Sequence, residues 1–162
     1  MNKIVFIFLI SFPVLIKVYS QPVKSPDEFL GYELGDQFTF HHRAVEYFRY
    51  VADKSESAEY IEYGKSYEGR PLGVCVVSEE DNLKKLEELR NNNLILSRLI
   101  AGDLTGRQLP IVWLAYNVHG NESAGMEAAM KTLYTLVTRS YPGTDLWLKS
   151  CIIIIDPCQN PD

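Results

Sequence analysis

The stretch Pro110–Met130, PIVWLAYNVHGNESAGMEAAM, decides how this chain is read. It opens on Ile111 to Val118, β-branched, aromatic and apolar residues with the length and composition of a buried strand. It closes on Ala, Met and Glu, good helix formers that continue through Lys131 to Arg139. Between strand and helix stand His119, Gly120, Asn121 and Glu122. That place is a usual ligand address, because the carboxyl ends of strands in an α/β sheet leave a crevice. With Asn121 or Gly120 as helix cap, His119 lies just outside the helix and Glu122 in its first turn, close enough to converge on one point. Zinc accepts both imidazole nitrogen and carboxylate oxygen, and a catalytic zinc keeps one position open for water. Gly120 permits a sharp backbone turn, and the helix dipole favours an ionised Glu122. The plainer alternative is a surface histidine and a helix-capping glutamate, a pattern that arises by chance with no metal.

Working outward, Tyr141-Pro142-Gly143 stops the helix, Leu146 to Ser150 reads as a short connector, and Cys151 to Asp156 is the most apolar strand. Two apolar strands joined by a helix make a βαβ unit, which crosses over right-handedly and lies parallel. Upstream, Glu59 to Ser66 and Leu72 to Ser78 read as strands of a hairpin, with YEGRP as the turn. Ser78 is the expected cap of one helix running to Gly102, with Leu83, Leu86 and Leu89 along its buried face. Thr39 is the expected N-cap of FHHRAVEYFRYVADKS, in which Ala44, Val45, Phe48 and Val51 recur at helical spacing. Gln21 to Gln37 reads as an extended lead-in. The order helix, hairpin, helix, strand, helix, strand predicts an α/β fold: a mixed central β-sheet flanked by helices.

Other candidate ligands are weaker. His41 and His42 are adjacent on a helix, point in different directions, and read as surface or local-packing residues. Asp156 and Asp162 stand beside proline, where aspartate commonly bonds its local backbone, so each is expected to order its own turn. Cys75, Cys151 and Cys158 have no metal-ligand spacing and read as structural.

The formal net charge is -5 and the sequence pI about 5.2, with no basic footprint, so nucleic acid is excluded as the expected partner. Met1 to Ser20 reads as a signal peptide: Lys3, an apolar core from Ile4 to Ile16, and a small-residue cleavage site before Gln21. The apolar run is broken by Pro13 and Lys17, short of the roughly 20 residues a membrane span requires. The expectation is an exported chain, periplasmic or secreted, with no membrane span after cleavage and with residues 21–162 as the mature domain.

NVHGNESAGMEA after an apolar strand resembles the first metal-ligand motif of the zinc carboxypeptidase (metallocarboxypeptidase, carboxypeptidase A-like) family. CIIIIDPCQNPD resembles the family's next landmark, a strand ending in Asn-Pro-Asp, and SPDEFLGYELGDQFTFHHRAVEYFRY and EYGKSYEGRPL look like the start of its exported bacterial members. The resemblance runs from about Ser25 to Asp162, with the landmarks in order. It implies a mixed sheet covered by helices and a zinc-dependent hydrolysis of C-terminal bonds in a peptide or protein substrate. It also implies that His119 and Glu122 are the first two protein ligands of a single zinc ion. In the family the third ligand, the oxyanion arginine and the general-base glutamate follow the Asn-Pro-Asp landmark, so here they are expected beyond Asp162. The chain is accordingly expected to be the N-terminal part of the catalytic domain, incomplete at its C-terminus, inactive alone, and exposing Ile152 to Ile155 as an apolar sheet edge. Digestive members carry Arg where this chain has Asn121.

Two other functions share these residues. The succinylglutamate desuccinylase and aspartoacylase branch, which cleaves N-acyl amino acids, has the same H-G-N-E string, but the export signal and long leader favour a peptidase. A non-catalytic truncated binding or scaffold protein is the third reading.

Overall fold

The computed structural model describes residues 22–162, and the signal-peptide reading of residues 1–20 lies outside them. Elements follow in the order α1 (Pro26–Leu30), α2 (His41–Lys54), β1 (Ala58–Lys65), β2 (Pro71–Val77), α3 (Glu80–Leu83), α4 (Leu86–Leu96), β3 (Ile111–Ala115), α5 (Ser123–Val137), α6 (Thr144–Ser150) and β4 (Ile152–Asp156). The sheet order is β1-β2-β4-β3. β1 pairs antiparallel with β2, β2 antiparallel with β4, and β3 parallel with β4. The expected mixed sheet with flanking helices is therefore present, and so is the parallel pair joined through α5.

Alternation along the strands divides the core in two. Cys75 and Val77 of β2, with Ile153 and Ile155 of β4, face α2 and α5, meeting Phe48, Val51, Met130 and Leu133. Val74 and Val76, with Ile152, face the other way onto Leu89 of α4, where Leu83, Leu86 and Ile154 also pack. Both faces of β4 are thus covered, which explains its unbroken run of isoleucines. Among the described residues, no helix is long and apolar enough to cross a membrane.

The two apolar strands exchange the places expected of them. β4 lies in the middle of the sheet and is largely buried, while β3 is the edge strand, with Ile111, Val112 and Trp113 exposed. The cause is pairing: β4 inserts between β2 and β3. Local expectations shift as well. The lead-in contains α1, opened by a Ser25–Glu28 capping box with proline next to the cap. Residues 146–150 are helical in α6. The helix expected to run to Gly102 is two helices ending at Leu96, because Lys85 leaves the helical range at φ −113°, ψ 19°.

Neither expected cap is a cap. Thr39 is fully buried and its hydroxyl donates to Glu127 of α5 at 2.6 Å, leaving Phe40 at the N-cap of α2 without a side-chain bond. Ser78 is buried and its hydroxyl bonds the carbonyls of Leu148 and Cys151, each at 2.9 Å. In both cases a tertiary acceptor outcompetes the orphan helix N–H. All three cysteines are free thiols, and burial pushes Cys75 up to about 12.

Candidate metal centre

β3 ends at Ala115, and the chain then runs beside the segment leaving β4. Tyr116 N–H donates to Asp156 O at 2.9 Å, Gln159 N–H to Tyr116 O at 3.2 Å, and Asn160 N–H to Asn117 O at 3.4 Å. These bonds bring the H-x-x-E loop against the closing DPCQNPD stretch. Asn117 turns the chain with a left-handed φ of 48°, a conformation asparagine tolerates better than most residues. Its buried amide donates to Cys158 Sγ at 3.1 Å.

The loop then closes on itself, Glu122 N–H donating to His119 O at 3.0 Å. Glu122 sits at the N-cap of α5, one position earlier than the first turn expected for it, and makes no side-chain cap. Its carboxylate instead meets the imidazole: His119 Nδ1 and Glu122 Oε2 are 3.1 Å apart, with both side chains about two-thirds exposed at 68% and 65%. The two sequence candidates are thus brought together, facing solvent. They offer one nitrogen and one carboxylate oxygen at a common point, a donor set suited to a borderline cation such as zinc. Among the described residues, no group of three or more His, Cys, Asp and Glu is placed to hold a metal ion.

Gly120 has a different purpose from the sharp turn expected of it. Its φ is not in the left-handed region, but a Cβ there would stand 2.7 Å from backbone atoms of Pro161 and Asp162. Glycine lets the closing stretch lie directly on the loop. That stretch is anchored in turn to the β1–β2 hairpin. The Asp162 carboxylate accepts from Ser66 Oγ at 2.6 Å and from Glu68 N–H at 2.9 Å, and Arg70 adds an ion pair at 3.2 Å. The Ser66 hydrogen bond is the main reason its carboxyl is held below the usual range. Asp162 therefore orders a turn far away in sequence, where a local one was expected.

Asp156 does accept from local backbone, Cys158 N–H at 3.3 Å, and also from the Tyr63 hydroxyl at 3.1 Å. It is buried, and burial raises its carboxyl despite these two donors. Burial, reinforced by the Asp156 charge, pushes Tyr63 up to about 12.

His41 and His42 line a cleft of about 480 Å³ beside Gly120 and Asn121, with Arg70 and Asp162 on its wall. His42 is exposed and stacks on Phe40, with ring centroids 6.0 Å apart. His41 is half-buried, and burial followed by the Arg70 charge lowers its basicity. They belong to the loop's surroundings more than the helix pattern suggested. Asn117 and Arg70 were not legible as site residues, and Asp162 reads from sequence as a weak ligand candidate ordering its own turn, with no sign of its anchor to the hairpin; an asparagine two positions before the histidine is the one available hint.

Similarity to known proteins points the same way as this geometry. No curated protein sequence matches the chain. Among solved structures, thrombin activatable fibrinolysis inhibitor superposes with a TM-score of 0.57 at 17% identity, over 78% of this chain and 26% of that one. Carboxypeptidase A from Helicoverpa armigera gives 0.55 at 19%, over 78% and 25%. The bovine thrombin-activatable fibrinolysis inhibitor, in complex with tick carboxypeptidase inhibitor, gives 0.52 at 19%, over 78% and 32%. At these identities the likeness is one of fold, and the chain spans roughly a quarter to a third of the length of those structures. The sequence profile described as zinc carboxypeptidase matches residues 44–162, taking in both strands of the βαβ unit, the H-x-x-E loop and the closing Asn-Pro-Asp. This chain belongs to the zinc carboxypeptidase family.

Proposed function

We propose that the chain carries part of the zinc site of a metallocarboxypeptidase, a hydrolase of C-terminal peptide bonds, with His119 and Glu122 as two ligands of one ion. The observation that carries the reading is the 3.1 Å approach of His119 Nδ1 to Glu122 Oε2 at the carboxyl end of β3, in a chain of this family. Without a cation, one hydrogen bond joins imidazole and carboxylate. A divalent ion would take the place of that hydrogen bond, held by the same two donors. When bound, zinc supplies Lewis-acid polarisation of the scissile carbonyl and of the attacking water.

The chain's own residues orient the two donors. Gly120 lets the closing stretch seat against the loop, and the Asp162 anchor holds that stretch to the hairpin. The same reading requires a third protein ligand, a general base and an oxyanion arginine besides these two residues. It takes residues 21–162 as domain and residues 1–20 as an export signal, and a peptide or protein as substrate.

Zinc content and affinity measured for the wild type and four variants test the assignment. A catalytic zinc usually has three protein ligands, so this pair alone is expected to lose zinc on dialysis and to show no peptidase activity above background. His119→Ala and Glu122→Ala should each abolish the residual binding, whereas His41→Ala and His42→Ala should leave it within about twofold, since neither joins the donor pair. Loss of zinc in a His41 or His42 variant, with binding intact in His119→Ala, would move the site to the other histidines.

A further inference from the structure

We propose that Asn117 is a positioning residue for the metal pair, acting through Gly125 and Cys158 to close the neck of the loop that carries His119 and Glu122. The inference rests on the metal reading of that pair. β3 ends at Ala115 and α5 begins at Ser123, so Asn117, two residues past the strand, and Gly125, in the first turn of the helix, stand on either side of loop 118–122. At that neck the chain leaving β3 and the first turn of α5 touch. A Cβ on Gly125 would stand 3.0 Å from Asn117 N and 3.2 Å from its Cα and Oδ1, so only glycine admits the contact without movement.

The side chain of Asn117 is a poor choice for stability alone. Its φ of 48° is one that glycine adopts without strain, and its Oδ1 is buried with no hydrogen-bond partner among the described residues. What asparagine adds over glycine is the amide bond to Cys158 Sγ at 3.1 Å, which ties the neck to the segment leaving β4. Left-handed non-glycine backbone and an unpaired acceptor at one residue persist where the surroundings enforce them, and they gather at functional sites. Here they fall two positions before His119. Fixing the neck narrows the range of separations open to His119 and Glu122, and affinity gained that way comes from preorganisation.

The test is a zinc titration followed by ¹H–¹⁵N NMR, with Tm measured in parallel, on wild type, Asn117→Gly, Cys158→Ala, Cys158→Ser and His119→Ala. Asn117→Gly keeps the backbone conformation and removes the tether. Its zinc Kd should rise about tenfold, the usual loss for a supporting residue of a metal site, while Tm stays within a few degrees of wild type. Cys158→Ala should match it, and Cys158→Ser, whose hydroxyl also accepts from the Asn117 amide, should restore the wild-type Kd. An unchanged Kd in Asn117→Gly overturns the proposal, and so does a fall in Tm with Kd unchanged. If Asn117→Gly fails to fold, equal Kd values in the two Cys158 variants overturn it instead. Zinc binding that survives His119→Ala overturns the metal reading itself, a failure seen in a different variant from the neck's.

Discussion

Thr39→Val is the perturbation with the most to say about this fold. Valine nearly copies threonine in shape, so the change opens no cavity and deletes one hydroxyl. That hydroxyl donates to Glu127 at 2.6 Å and is 2.9 Å from the Tyr32 hydroxyl, and both Thr39 and Glu127 are buried. A hydrogen bond to a charged group contributes roughly 1.5–3 kcal/mol, and removing it leaves a buried carboxylate oxygen short of a partner. We expect a loss of about 2 kcal/mol. At the size of this chain that lowers Tm by about 4–8 °C. Chemical denaturation and thermal melts of Thr39→Val, Glu127→Gln and the double variant measure the coupling. With Glu127 neutralised, the Thr39 hydroxyl should be worth only about 1 kcal/mol, so the two changes should be non-additive. Thr39→Asp separates this role from helix capping. A cap position accepts aspartate as readily as threonine, whereas here a second carboxylate would face Glu127 in a dry site. Thr39→Asp should therefore be less stable than Thr39→Val at pH 7. A Thr39→Asp variant as stable as wild type, or an equal Thr39→Val loss in both Glu127 backgrounds, would refute the buried-pair argument.

Other outcomes follow from the same contacts. Gly120→Ala forces a Cβ onto the Pro161–Asp162 backbone and should cost about 1–3 kcal/mol as overpacking, read by denaturant midpoint, with zinc affinity falling in step. The raised Asp156 carboxyl binds its proton more tightly folded than unfolded, so its stabilising effect is complete below an unfolded pKa of about 3.9 and is lost as pH rises through the higher folded value. The wild type should therefore gain stability over Asp156→Asn as pH falls from 7 towards 4, and a pH-independent difference in Tm would count against burial as the cause. Among the described residues β3 is the sheet edge and exposes Val112 and Trp113, and unpaired apolar edges recruit other chains. Trp113→Lys should reduce self-association in sedimentation velocity, while an Ile154→Lys change, on the covered central strand, should unfold the chain.

The sequence already contained what depends on neighbours within a few residues. The YEGRP turn fixes a hairpin between β1 and β2, and the apolar spacing of Ala44, Val45, Phe48 and Val51 marks the buried face of α2. Imidazole and carboxylate at positions 119 and 122, between a strand and a helix, mark the candidate site, and the surrounding landmarks carried the family. The capping box of α1, Ser-x-x-Glu with proline next to the cap, is equally local, but a five-residue helix shows no apolar period, so the segment reads as an extended lead-in until the structure shows otherwise.

What the tertiary structure decided is which groups separated by long stretches of chain compete for one another. Residues 111–115 and 152–156 are both apolar strands, and nothing within either says which becomes central. That is settled when β4 takes the place between β2 and β3, with α4 on one face and α2 and α5 on the other. Thr39 and Ser78 both suit a helix cap by residue type. Their hydroxyls instead go to Glu127 and to the carbonyls of Leu148 and Cys151, partners 70 or more positions away. Gly120 reads as a turn residue until Pro161 and Asp162 are laid on it, and Asn117 as a loop residue until Gly125 and Cys158 close around it. A side chain's local options can be listed from sequence, but the one taken is the option that leaves the fewest buried polar groups unpaired, and that count exists only once the chain has packed.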